Sequence, residues 1–252
     1  MVRYIKIFMS YITACFANLA ALEVRSYASD IVPCHITNNF GEPCTTEYEF
    51  DDLIDSVITE FSPDFQTSGW KLSSTSEWQN EKEEATYEFV NSSEIAVKIY
   101  GGLVRASDIT LDAAALVICH EIGHVYGFIT GTGSPDTWGA EGEADYFAAS
   151  SCLDRVLKYT PSKSNFSLPA SVIKSCNTRS ENPEICLRKN RAAYSGSIMR
   201  ARVLSEGTVS FLTPDPTIVS TTTHDLTSAQ CGLDTFYQAS LDLARPKCWF
   251  YQ

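Results

Sequence analysis

The stretch from Thr110 to Tyr126 reads as one helix with a contradiction inside it. Its first half, Ala113-Ala114-Ala115-Leu116-Val117-Ile118, is apolar enough to be buried, yet it runs directly into His120-Glu121-Ile122-Gly123-His124. Residues four apart share a helix face, so His120 and His124 point the same way. Two imidazoles and a carboxylate on a helix that must bury itself are costly unless something satisfies them. A metal ion does so, and H-E-x-x-H is the spacing at which two histidines reach one ion while the glutamate between them stays free. A fold built around this segment must bring a further ligand to the same face. Thr110 can cap the helix, Asp112 suits its first turn, and Gly127 is expected to stop it.

Zinc in a hydrolytic site takes three protein ligands and keeps a fourth position open. Glu141-Gly142-Glu143-Ala144-Asp145 follows His124 after a Gly-, Thr- and Ser-rich loop over 128–140 and opens a second helix, expected over Glu141–Tyr159. Glu141 and Asp145 lie four apart on one face. Glu141 is read as the third ligand, and Asp145 as the acceptor that holds a ligand histidine by its other ring nitrogen. Glu143 projects from the opposite side of the wheel and is set aside. A metal held by His120, His124 and Glu141 lowers the pKa of a water towards 7. Glu121 takes the proton, and the resulting hydroxide attacks a carbonyl. Cys119 directly precedes His120 and Cys152 lies on the second helix, so a Cys119–Cys152 disulfide is expected to pin the two helices together.

This arrangement resembles the gluzincin clan of zinc metallopeptidases, in which a helix bearing H-E-x-x-H is followed by one bearing E-x-x-x-D. The run Glu141-Gly142-Glu143-Ala144-Asp145-Tyr146-Phe147-Ala148 is similar to the E-x-E-A-D-x-x-A helix of minimal gluzincins of the HtpX-like type, without their flanking membrane spans. The resemblance covers about residues 95–155. It implies an α+β, zincin-like fold with the active-site helix and the third-ligand helix packed beside a small sheet. It also implies zinc as cofactor and a protein or peptide substrate. A strand at Ile95–Leu103 would form the sheet edge that pairs with the substrate backbone. An oxyanion donor would come from a His or Tyr in the C-terminal half. His224, in Thr223-His224-Asp225, is the only histidine there, with Tyr194 and Tyr126 as rivals. The competing reading is an inactive zincin-like module that binds peptide or cell-envelope material.

Composition narrows what remains. A chain of 252 residues, 44 % hydrophobic, is one domain of ordinary size with enough apolar surface for a core. A net charge of −12 argues against a nucleic-acid partner, because phosphate neutralisation needs a basic face. After residue 22 no apolar run approaches the roughly 20 residues of a membrane span. Residues 1–28 read as an export signal. Arg3 and Lys6 precede an apolar stretch from Ile7 to Leu22, and Ser26 and Ala28 suit cleavage, leaving residues 29–252 as the mature domain. Ile12-Thr13-Ala14-Cys15 also fits a lipobox, which would put a lipid anchor on Cys15.

Of the 9 cysteines one lies in that signal, and an even remainder in an exported chain implies a disulfide framework. Cys34–Cys44 and Cys176–Cys186 flank polar turns and are expected to pair; with no close C-x-x-C pair, a zinc ribbon is disfavoured. His35 reads as a surface residue. An apolar stripe predicts a helix over Glu47–Phe61, and alternation predicts strands over Ala85–Phe89 and Ile95–Leu103. Trp70–Glu84 reads as strand ends and loops, and 160–187 as loop. Helices are expected over Asn190–Leu204 and Ser228–Ala244, with an extended segment over Phe211–Ser220.

Overall fold

The computed structural model describes residues 37–251 apart from 159, 161 and 165. The expected export signal over 1–28, the lipid site at Cys15, Cys34 and His35 fall outside those residues. What is described is a mixed α+β structure with one three-stranded sheet. Helix α1 (Glu47–Thr67) begins in a reciprocal cap: the Thr46 hydroxyl accepts from the Glu49 N–H, and the Glu49 carboxylate accepts from the Thr46 N–H. Its stripe of Phe50, Leu53, Ile54, Val57 and Phe61 is buried. Phe65 continues the stripe, so the helix runs through Pro63 beyond the expected end at Phe61.

Strands β1 (Lys71–Glu77), β2 (Ala85–Asn91) and β3 (Glu94–Tyr100) lie in the order β1-β3-β2. β1 runs parallel to β3 and β2 antiparallel to it. The Ser-rich β1 hides its identity in sequence because only Leu72 is buried, and the ladder to β3 defines it. β3 is the central strand, with Ile95, Val97 and Ile99 fully buried. This corrects the expectation that 95–103 forms a free edge: the edge beside the H-E-x-x-H helix is β2. β3 also stops at Tyr100, where Gly101–Arg105 turns into the short helix α2.

Helix α3 (Leu111–Thr130) carries the histidines. Thr110 Oγ1 caps it by accepting from the Ala113 N–H at 3.1 Å. Gly127 does not stop it; the helix ends at Gly131, whose φ of 70° is the left-handed cap. By length and hydropathy α3 is the one described helix that could cross a membrane, but half of it is buried within the fold. It packs against α1, the β2–β3 hairpin and three later helices. Helix α4 (Glu141–Phe147), a π turn (Ala148–Cys152) and α5 (Leu153–Val156) continue as one rod. That rod ends short of the expected Tyr159.

The expected loop over 160–187 contains helix α6 (Ala170–Arg179) and the start of α7 (Pro183–Val203). α6 buries only Val172 and Cys176, too thin a stripe to announce a period. α7 starts at Pro183 rather than Asn190, with the Asn182 side chain accepting from the Ile185 N–H. α8 (Ala229–Ala239) is capped by Ser228 and ends before the expected Ala244, the chain turning at Asp242 with φ 52°. Residues 211–220 form no strand.

Three disulfides lie among the described residues. Cys119–Cys152 and Cys176–Cys186 form as expected, and Cys231–Cys248 is the third. The expected Cys34–Cys44 pair involves Cys34, outside the described residues. Three such bonds are consistent with an oxidising, exported location. Cys119–Cys152 spans 33 residues, and replacing both cysteines by serine should lower unfolding free energy by about 3–4 kcal/mol. Urea unfolding of the double variant checks this; an unchanged midpoint at unchanged slope refutes it.

Candidate metal centre

Three helices converge to build the site. α3 presents His120, Glu121 and His124; α4 presents Glu141 and Asp145 from its first two turns; α7 contributes Arg200. α3 and α4 approach closely at Gly123, where a Cβ would come within 2.9 Å of the Ala144 Cα. The glycine inside H-E-I-G-H therefore lets the ligand helices touch, and the Cys119–Cys152 bond closes the same contact one turn away.

His120, His124 and Glu141 form a cluster that could hold a metal ion. The two Nε2 atoms are 3.0 Å apart, and the Glu141 carboxylate oxygens lie 3.3 Å from His120 Nε2 and 3.6 Å from His124 Nε2. Ligand atoms around a tetrahedral ion with bonds of roughly 2.0–2.1 Å stand about 3.3 Å apart. The donor atoms thus stand at spacings compatible with a bound metal ion.

The imidazoles are oriented from behind. His120 Nδ1 donates to Asp145 Oδ1 at 2.7 Å, which turns Nε2 towards the cluster. His124 Nδ1 faces the Gly139 carbonyl at 3.3 Å and fixes the second ring in the same sense. Asp145 is 1 % exposed, and its other oxygen accepts from Arg200 at 2.8 Å. Arg200 in turn donates to the Thr227 carbonyl and hydroxyl. This guanidinium, 55 residues from its carboxylate, left no local signal in the sequence.

The protonation states follow from this packing. Burial alone would depress His120, but the Asp145 charge and hydrogen bond, with Glu141, hold it at about 10. Burial and then the His120 charge push His124 down to about 4. Burial works against the Asp145 carboxylate as well, and Arg200 and His120 overcome it, keeping it low. A cation placed in the cluster takes over the role of the proton on His120. Glu121 is lifted to about 7 by burial, with Glu141 and Glu84 adding to it against His120 and the Tyr87 N–H. A carboxyl poised there exchanges protons readily near neutrality.

The rival ligand Glu143 is engaged elsewhere, in a two-point pair with Arg245 at 2.6 and 2.5 Å. His224 is exposed, and its ring makes no hydrogen bond among the described residues; its backbone carbonyl accepts from the Glu141 N–H at 3.4 Å. Asp225 does not orient it. Tyr126 donates to Asp64, and Tyr194 stacks on Phe211 at 5.8 Å, so both are committed away from the cluster. The tyrosine at the cluster is Tyr87 of β2, its ring centroid 5.4 Å from that of His124. A cavity of about 220 Å³ adjoins the site, walled by Leu116, Met199, Val203, Leu226 and Phe236 and reaching His120 and Glu121.

No protein-family model, curated protein or solved structure matches this chain.

Replacing Asp145 by asparagine should weaken metal affinity about 10–100-fold, measured against a chromogenic chelator. Replacing Arg200 by methionine strands a buried carboxylate and should cost about 3–5 kcal/mol in thermal or urea unfolding. Affinity unchanged in the first variant would refute the orienting role of Asp145.

Proposed function

We propose that this chain is an exported, zinc-dependent peptidase of zincin-like architecture. The observation that carries the proposal is the spacing of the His120, His124 and Glu141 donor atoms, with a buried carboxyl of raised pKa directly beside them. Zinc suits a two-imidazole, one-carboxylate donor set, and when bound it supplies Lewis acidity to a carbonyl oxygen and acidifies a water. Glu121 takes a proton from the attacking water and gives it to the departing amine nitrogen as the C–N bond breaks. Its position is fixed by the α3 backbone and by the Tyr87 N–H directed at its carboxylate. His120, His124 and Glu141 would hold the ion, and Asp145, neutralised by Arg200, keeps the His120 tautomer.

A polypeptide is the substrate that best suits the surroundings. β2 is an edge strand, and its backbone offers hydrogen bonds to an extended chain laid beside the cluster. The adjoining apolar cavity is large enough to take a side chain of that chain. Export through the signal over 1–28 is part of the proposal, and three disulfides support it.

The test is metal content and hydrolysis of fluorescein-labelled casein by residues 29–252. About one zinc per chain is expected in the wild type and in Glu121→Gln, with cleavage in the wild type alone, reduced by at least about 10³-fold in the variant. Glu141→Ala should lose both metal and cleavage. Cleavage undiminished in Glu121→Gln would overturn the proposal. Zinc bound with no cleavage of casein or peptides would replace it with a metal-stabilised peptide-binding module.

A further inference from the structure

Three aromatic rings lead away from the candidate metal centre, two on β2 and the third across the sheet at the start of β1. The Tyr87 ring lies 5.4 Å from that of His124. Phe89 follows at 6.1 Å from Tyr87, and Trp70 at 6.0 Å from Phe89. Tyr87 and Phe89 alternate on one face of β2, and Trp70 precedes β1. Phe89 is 54 % exposed, and the Tyr87 hydroxyl makes no hydrogen bond among the described residues. The register shift after Phe89 ends the regular edge, so the row has a defined length.

We infer that this row is a specificity surface for extended polypeptide segments that carry aromatic or large apolar side chains at alternate positions. The inference rests on the peptidase reading of the same site and adds the class of segment it takes. A strand added to the outer edge of β2 has the same two-residue repeat, about 6.6–6.8 Å. Its alternate side chains therefore meet Tyr87 and Phe89 in turn, as directly opposed cross-strand neighbours do. The Tyr87 N–H is donated to Glu121, so the outer edge of β2 faces the candidate site there, and a chain pairing with the outward backbone groups of Phe89 further along passes beside it. Charge sets a second condition. Glu121 and Glu141 lie at the Tyr87 end of the row, and the whole chain carries −12. Acidic segments are repelled, and neutral or basic ones are accepted. Segments with alternating large apolar side chains are buried in folded proteins. The occupant is accordingly an unfolded or locally extended chain.

The test uses the zinc-loaded Glu121→Gln protein, which holds a peptide without cutting it. Two fluorescein-labelled dodecapeptides with lysine ends are compared by fluorescence anisotropy, one with phenylalanine and one with serine at alternate positions. The phenylalanine peptide should bind about tenfold tighter, the magnitude expected of an aromatic pair. Adding Phe89→Ser should erase that preference. Adding Leu212→Ser, at another exposed apolar residue outside the row, should leave it intact. Casein cleavage by the wild type is scored separately, so that cleavage with no peptide preference overturns the aromatic row alone and leaves the peptidase reading standing. Equal affinity for the two peptides, no binding of either, or a preference that survives Phe89→Ser overturns the inference.

Discussion

The carboxylate of Asp145 is where the site is tied to the fold. A group that is 1 % exposed cannot stay ionised without partners, and it has two, His120 of α3 and Arg200 of α7. One buried charge therefore locks three helices in register. Removing either partner leaves the rest of the array uncompensated, which makes the arrangement all-or-none. The same contact turns a packed histidine into a donor facing outwards, so core stability and ligand geometry are one constraint here.

Around that lock, the elements divide their labour by rigidity. The donor atoms come from two helices in backbone contact at Gly123, covalently joined one turn away. The surroundings come from an edge strand and from the segment 221–227, neither of which supplies a ligand. An apolar cavity lies on the α7 side of the cluster and an aromatic row on the β2 side. Rigid donors between two differently shaped flanks suit chemistry on an extended chain.

The parts of this arrangement that the sequence made legible are those with a short period. His120 and His124, and then Glu141 and Asp145, announce a shared face by four-residue spacing, and the Thr110 cap and the Cys119–Cys152 pairing follow from local logic. Arg200, Tyr87 and the Gly139 carbonyl reach the site through tertiary packing alone, and no spacing encodes them. The strand order was hidden for a related reason: β1 is polar on both faces, so the alternation that would place β3 at the centre is absent from its partner. α6 buries only Val172 and Cys176, the latter bonded to Cys186, so no apolar stripe announces it. Gly127 misled because glycine ends a helix only where the chain needs a left-handed residue, and that need arises at Gly131.

The Cys119–Cys152 bond closes a covalent ring of chain, and His120, His124 and Glu141 all lie inside it. The loop over 131–139, Gly-rich and exposed over much of its length, lies in the same ring. A single backbone nick in that loop opens the ring into a linear stretch but severs nothing, because the sulfur–sulfur link still joins the two fragments. Both donor helices then remain tethered to each other and packed at Gly123. Backbone cleavage in this exposed loop would thus leave the centre assembled.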